Sequence, residues 1–281
     1  MANYYCLMAG LPTVKLTDVQ PYHTLLQLKE ELADILEPQD ARLLERYFLR
    51  FDCENLVARL AEEDVELDCR GNFSGEAIDG LIEEARQTDS PVKGFPAFMA
   101  DFVREYDVHA GDQKWFARDA ALVAYYDYAR QCSNTMMAEW YELNFNLLNI
   151  LTALIARKQG WRLEDYVQGS NDVTDALLKQ ANQPDFGLGQ ELDYMKTLMQ
   201  AAETTDPVEK ERQIDALRWN WSEEKTFFEP FDITALFAYI VRSEILERWA
   251  LLDPEQGRKR FTEIIENLRG EARVPEEFIR K

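Results

Sequence analysis

Histidine is nearly missing: His23 and His109 are the only two in 281 residues. That excludes a multi-histidine metal site within the chain and leaves few options for an imidazole base. Neither sits at the fourth position of an E-x-x-H pair, so the carboxylate–histidine di-iron signature of helical bundles is missing too, and both histidines read as surface or capping residues. Breakers are scarce, with 12 glycines and 10 prolines, about two-thirds of their usual combined share. Long helices are the expected consequence. The four cysteines, Cys6, Cys53, Cys69 and Cys132, form no C-x-x-C pair, and no signal-peptide pattern follows Met1; together these predict a reduced, cytoplasmic setting. The longest apolar run, residues 147–156, is closed by Arg157 and Lys158. It falls well short of the roughly 20 residues a membrane span needs and reads as a core helix.

Basic charge is also short. Lys and Arg number 31 against 52 Asp and Glu, a formal net charge of −21. Counterion release on nucleic acid needs clustered Lys and Arg, so a basic nucleic-acid face is not expected, nor is direct adsorption to an anionic lipid surface. A basic protein partner would be steered toward such a field. What the chain does have is 46% hydrophobic and 12% aromatic residues, a globular composition large enough to bury its own core.

The apolar spacing predicts an all-α protein of about ten helices. Residues 1–16 fit either a short strand or a helical turn. From Pro21, taken as a first helical turn, Leu25, Leu28, Leu32, Ile35 and Leu36 recur at helical spacing until Pro38, and the next helix, residues 40–63, carries Leu44, Tyr47, Phe48, Phe51 and Asn55 on one face. These two are expected to form a hairpin. After a loop, or a brief strand at residues 65–67, Ser74 can cap a helix with Ile78, Leu81, Ile82 and Ala85. A break at residues 90–96 precedes the Phe98, Met99, Phe102, Val103 and Tyr106 face. Two long helices, residues 112–131 and 133–159, follow as a hairpin, with Gly160 as terminator. Beyond a short helix at residues 173–179, Leu188, Leu192, Met195, Leu198 and Met199 line one more helix. Asp206-Pro207, Asp232 and Asp253-Pro254 mark three further starts, the last leading to Phe261, Ile264, Ile265 and Leu268. The breaks divide the chain into helical modules at residues 1–110, 111–183 and 184–281, without a Gly-rich linker between them.

No catalytic constellation accompanies this frame. There is no G-x-x-x-x-G-K-[ST], no strand-linked G-x-G-x-x-G, no G-x-S-x-G and no D-D-x-x-D. Glu139 with Glu142 and Asp172 with Asp175 are carboxylate pairs at three-residue spacing that in principle could hold a divalent ion. The second pair reads better as helix N-terminal charge and the first as a solvated helix edge. The chain is therefore expected to be non-catalytic and to carry no cofactor. What stands out instead is three polar residues at core-facing helical positions. Asn55 continues the Phe48 and Phe51 stripe, Asn144 sits among Trp140, Leu147, Leu148 and Leu151, and Glu244 is in line with Phe237, Ile240 and Val241. Each must find a partner, and they are expected to lock helix packing.

Around these positions the sequence resembles a known family. The run Glu139-Trp140-Tyr141-Glu142-Leu143-Asn144-Phe145-Asn146-Leu147-Leu148-Asn149-Ile150-Leu151, continuing to Gly160, is similar to a helix of the C-type rotor subunits of rotary V/A-type ATPases, the d-type subunits of the eukaryotic enzyme. Asp52-Cys53-Glu54-Asn55-Leu56 looks like an earlier copy of that acid-then-Asn-Leu helix, and residues 236–249 resemble the family's closing helix, with Glu247 where the family usually has Asn. The opening, Tyr4-Tyr5-Cys6-Leu7-Met8-Ala9-Gly10-Leu11-Pro12, resembles an uncharacterised bacterial family encoded beside V-type ATPase genes. The resemblance implies two or three related helical bundles packed as an elongated, funnel-like body. Its partners would be the central-stalk subunits and the proteolipid ring, and its place the cytoplasmic side, peripheral to the inner membrane through protein contacts. The alternative that the residues leave open is a generic helical-repeat adaptor of another complex.

Overall fold

The computed structural model describes residues 3–109, 111–112, 115–228 and 231–251. Among them the fold is all-α: α1 (Tyr5–Gly10), α2 (Leu25–Ala33), α3 (Pro38–Leu60), α4 (Gly75–Gln87), α5 (Ala97–Val108), α6 (Ala117–Ala129), α7 (Thr135–Gln159), α8 (Asp172–Lys179), α9 (Met195–Glu203), α10 (Pro207–Thr226) and α11 (Ile233–Leu251), with one 3₁₀ turn at Leu163–Asp165. No strand occurs among the described residues, and 65–67 are loop. The helix expected after Asp253-Pro254 lies outside the described residues. No helix among them is long and apolar enough to cross a membrane.

Local chemistry sets most of the boundaries. Ser74, Asn134 and Asn171 each accept the N3 amide of the helix they precede, Asp206 accepts Val208 N–H, and Asp232 accepts Ala235 N–H. Such caps satisfy amides that have no partner inside the helix. Gly160 closes α7 in the left-handed region at φ 72°. Three starts differ from the sequence expectation. α2 begins at Leu25 rather than near Pro21, because Thr24 and Gln27 form a reciprocal capping box. α6 begins at Ala117, five residues inside the expected start. α9 begins only at Met195, with Leu188 and Leu192 held in turns before it.

Packing runs through a single buried hydrophobic cluster that extends from Tyr4 to Leu246. The α6–α7 hairpin forms as expected, and α6 also lies closely along α3. The α2–α3 hairpin does not form: α2 lies against α11, and Leu25 N–H donates to Glu247 Oε2 at 3.0 Å. Glu247 thus caps a helix more than two hundred residues away in sequence. Between α2 and α3 a groove of about 690 Å³ opens instead, floored by Leu32, Leu44 and Phe48 and edged by Lys29, Arg42 and Arg46.

Candidate functional site

Two local devices position the polar groups. The first is a helix that clamps the loop following it. Asn55, buried on α3, uses both amide atoms on one residue: its Nδ2 donates to the Asp68 carbonyl at 2.9 Å, and its Oδ1 accepts Asp68 N–H at 2.7 Å. One turn earlier, the fully buried Asp52 accepts Asn72 N–H at 2.8 Å and Phe73 N–H at 3.0 Å. Gly71 lets the loop come this close, since a Cβ there would stand 2.5 Å from Asp52 Oδ1 and 3.2 Å from Asn55 Nδ2. On α7 the same logic recurs. Asn149 Oδ1 accepts Gln168 N–H at 2.8 Å, and Asn146, three residues earlier, accepts from Asn171 Nδ2 at 2.7 Å. Here Gly169, at φ +73°, presses on the Phe145 ring, where a Cβ would come within 2.6 Å. D-x-x-N on α3 and N-x-x-N on α7 therefore do one job, each holding a loop that leads to a side-chain-capped helix.

Asp52 makes the α3 clamp pH-sensitive. Burial raises its carboxyl from 3.8 to about 6, against the opposing pull of the Asn72 and Phe73 amides and of Lys29. A folded-state pKa above the unfolded value means that the folded protein binds the extra proton between the two. This group's contribution to stability therefore increases as pH falls through about 6 and is lowest above it. Urea unfolding should show wild type gaining about 1 kcal/mol more than Asp52→Asn between pH 7 and pH 5. Equal gains in the two proteins would remove Asp52 as the source.

The second device is a polar cavity of about 210 Å³ where five helices meet. Tyr47 and Arg50 reach it from α3, Tyr125 and Tyr126 from α6, and Trp140, Tyr141 and Asn144 from α7; Asp215 and Arg218 come from α10, and Val241, Glu244, Ile245 and Arg248 from α11. Its charges are cross-linked between elements. Glu244 accepts from the Tyr47 hydroxyl and the Arg50 guanidinium, tying α11 to α3. Asp215, 1% exposed, accepts from Arg218 at 3.1 Å, from Arg248 and from Trp249 Nε1 at 2.8 Å, tying α10 to α11. Asn144 donates to the Trp140 carbonyl of its own helix at 2.8 Å and accepts Arg218 Nε–H at 2.9 Å, which adds α7. Burial pushes Tyr47 up to about 12 and Tyr125 and Tyr141 well above 10, so all three phenols stay protonated.

Of the three polar residues singled out in the sequence, the structure brings Asn144 and Glu244 to this cavity and leaves Asn55 in the loop clamp. Both oxygens of Glu244 serve side chains, one the Tyr47 hydroxyl and the other the Arg50 guanidinium. Arg50, Asp215, Arg218 and Arg248 join the site without a forewarning in the sequence reading. The i, i+3 spacing of Asp215 and Arg218 is a usable signal, whereas the α11 partners lie too far away in sequence to be read. The other carboxylates stay peripheral. Glu139 pairs with Lys225 at 2.5 Å, Glu142 holds Asn171 at 2.5 Å, and Asp172 and Asp175 occupy the first turn of α8, as their spacing suggests. His109 terminates α5 and stacks on Trp115, with centroids 5.0 Å apart. Among the described residues no group of three or more His, Cys, Asp or Glu side chains converges as a metal site.

Fold and site together define an all-helical protein whose polar groups bind helix to helix and helix to loop. Residues 1–272 match the family described as protein of unknown function DUF2764, and the chain belongs to that family. Neither the curated proteins nor the solved structures include a match to it.

Proposed function

We propose that the chain is a non-catalytic component of a rotary V-type ATPase, similar to the C-type (eukaryotic d-type) rotor subunits, that couples the central stalk to the membrane proteolipid ring. One observation carries the reading. The segments that resemble that family, on α3, α7 and α11, are far apart in sequence, yet the helices that bear them wall a single cavity, and two of them clamp a following loop in the same way. Recurrence of one helix–loop device suits a body built from related bundles. The Arg–carboxylate links among α3, α10 and α11, extended to α7 through Asn144 and Arg218, suit a part that transmits torque, because they fix the relative positions of helices that apolar packing alone allows to slide. A chain of net charge −21 suits a basic stalk foot. The protein would act on the cytoplasmic side, held at the membrane through its partners.

The test is binding of the purified chain to detergent-solubilised stalk-plus-ring complex at low and high salt. Saturable binding that weakens as salt rises is expected for charge-steered docking. Binding that is missing at both salts, or that strengthens with salt, would overturn the reading and leave an adaptor of another complex.

A further inference from the structure

We infer that the groove between α2 and α3 is a docking site for an acidic amphipathic helix of a partner protein. Nothing in this depends on the rotary reading. The groove has the form that such a helix fills: two helices wall it, Leu32, Leu44 and Phe48 floor it, and its volume of about 690 Å³ is open on one side. Leu36 and Phe73 add half-buried apolar surface. The α3 clamp holds one wall in place. Asp52 accepts the Asn72 and Phe73 amides, Asn72 Nδ2 donates to the Glu45 carbonyl at 2.9 Å, and the Phe73 ring packs on Phe95 with centroids 4.4 Å apart. A wall tethered in this way keeps its shape without an occupant, which lowers the cost of binding.

Charge selects the occupant. Arg42 and Arg46 stand one turn apart on the α3 edge, and neither guanidinium pairs with a carboxylate among the described residues. Arg46 is nevertheless fixed. Its Nη1 donates to the Tyr128 carbonyl at 2.8 Å and the guanidinium lies 4.2 Å from the centre of the Tyr128 ring, so its other N–H groups are presented in a set direction. The third cation, Lys29, donates to the Arg70 and Gly71 carbonyls and lies in the field of Asp52 and Glu45. Setting both of those carboxylates against Lys29 and one arginine still leaves the other arginine over, in a chain whose formal net charge is −21. A basic segment would meet two arginines, and a purely apolar one would cover them without a counter-charge. An apolar stripe with Asp or Glu beside it satisfies floor and edge together. The acidic groups must be confined to a short segment, because the field of the whole chain repels a strongly acidic protein at long range, a second copy of itself included.

The experiment titrates the full chain into a fluorescent peptide of about 15 residues with leucines at helical i, i+3, i+4 and i+7 spacing and glutamates beside them. Its control carries glutamine in place of every glutamate. Saturable binding of the glutamate peptide is expected, about tenfold tighter than that of the glutamine peptide. The net charge of −21 acting alone dictates the reverse order, so this comparison decides the charge requirement without any variant. Arg42→Glu, at an exposed residue with no ion pair to lose, should erase the preference. Ala33→Trp, which fills the groove from an exposed position at the end of α2, should weaken both peptides about tenfold. Both variants should keep the wild-type unfolding midpoint. No saturable binding, equal or tighter binding of the glutamine peptide, or binding unchanged by the folded variants would overturn the inference. A benzophenone amino acid at position 33 of the full chain, irradiated without peptide, tests the other occupants. No cross-link within the chain or between copies is expected; one to residues 252–281 of the same molecule, or to a second copy, would assign the groove to the chain itself and overturn the partner.

Discussion

Asp215→Ala is expected to lower the unfolding free energy by about 3 kcal/mol, the lower end of the cost of breaking a buried ion pair. Asp215 is the acceptor shared by Arg218, Arg248 and the Trp249 indole. Its removal leaves two guanidiniums and an N–H group without their common acceptor at the junction of α10 and α11. Both arginine side chains keep some solvent access, 25% and 41%, so water recovers part of the loss, and this places the effect at the lower end. For a chain of this size the midpoint should fall by roughly 6–12 °C. Asp215→Asn keeps one acceptor oxygen and should lose about half as much. A midpoint within 2 °C of wild type for the alanine variant, roughly what 1 kcal/mol or less produces, would mean that the cross-link is not what joins these helices.

The second large effect concerns the α3 clamp. Asn55→Ala should cost about 2 kcal/mol, because it strands both the N–H and the carbonyl of Asp68, a half-buried residue that water reaches only in part. The loss should be local as well as global. Hydrogen exchange at the amides of residues 68–73 should quicken more than exchange on α6 or α7, since the loop loses its tether at Asp68 and keeps only those from Asp52 and Lys29, while the helices keep their packing. Uniform acceleration along the chain would show that Asn55 supports the core as a whole. The matching change on α7, Asn149→Ala, should loosen residues 163–169 in the same way.

How much of this is legible in the sequence depends on range. Features set within one turn come through. Ser74, Asp206 and Asp232 cap the helices their sequence context suggests, and Gly160 ends α7, because a cap is a contact between residues two to four apart. The α6–α7 hairpin is readable for the same reason, its turn being only a few polar residues long. The start of α2 is misplaced by Pro21, which is a weaker signal than the Thr24–Gln27 box. The apolar stripe of α2 is legible but its partner is not, since Leu25, Leu28 and Leu32 say that a face is buried and not whether α3 or α11 covers it. The polar sites follow the same rule. Asn144 and Glu244 stand out as polar residues on apolar faces, but their partners Arg218, Tyr47 and Arg50 lie 74 to 197 residues away, beyond what periodicity reports. Asn55 is recognisable as buried without any sign that it serves a loop, because its thirteen-residue reach to Asp68 crosses a segment with no regular pattern.

The measurement that tests the central claim most directly is a pull-down of the tagged chain from its native host in mild detergent, with mass spectrometry of what stays bound after a moderate salt wash. Co-recovery of central-stalk and proteolipid-ring subunits is the result expected of a rotor coupling component. A clean preparation that contains the chain but no ATPase subunit would contradict it.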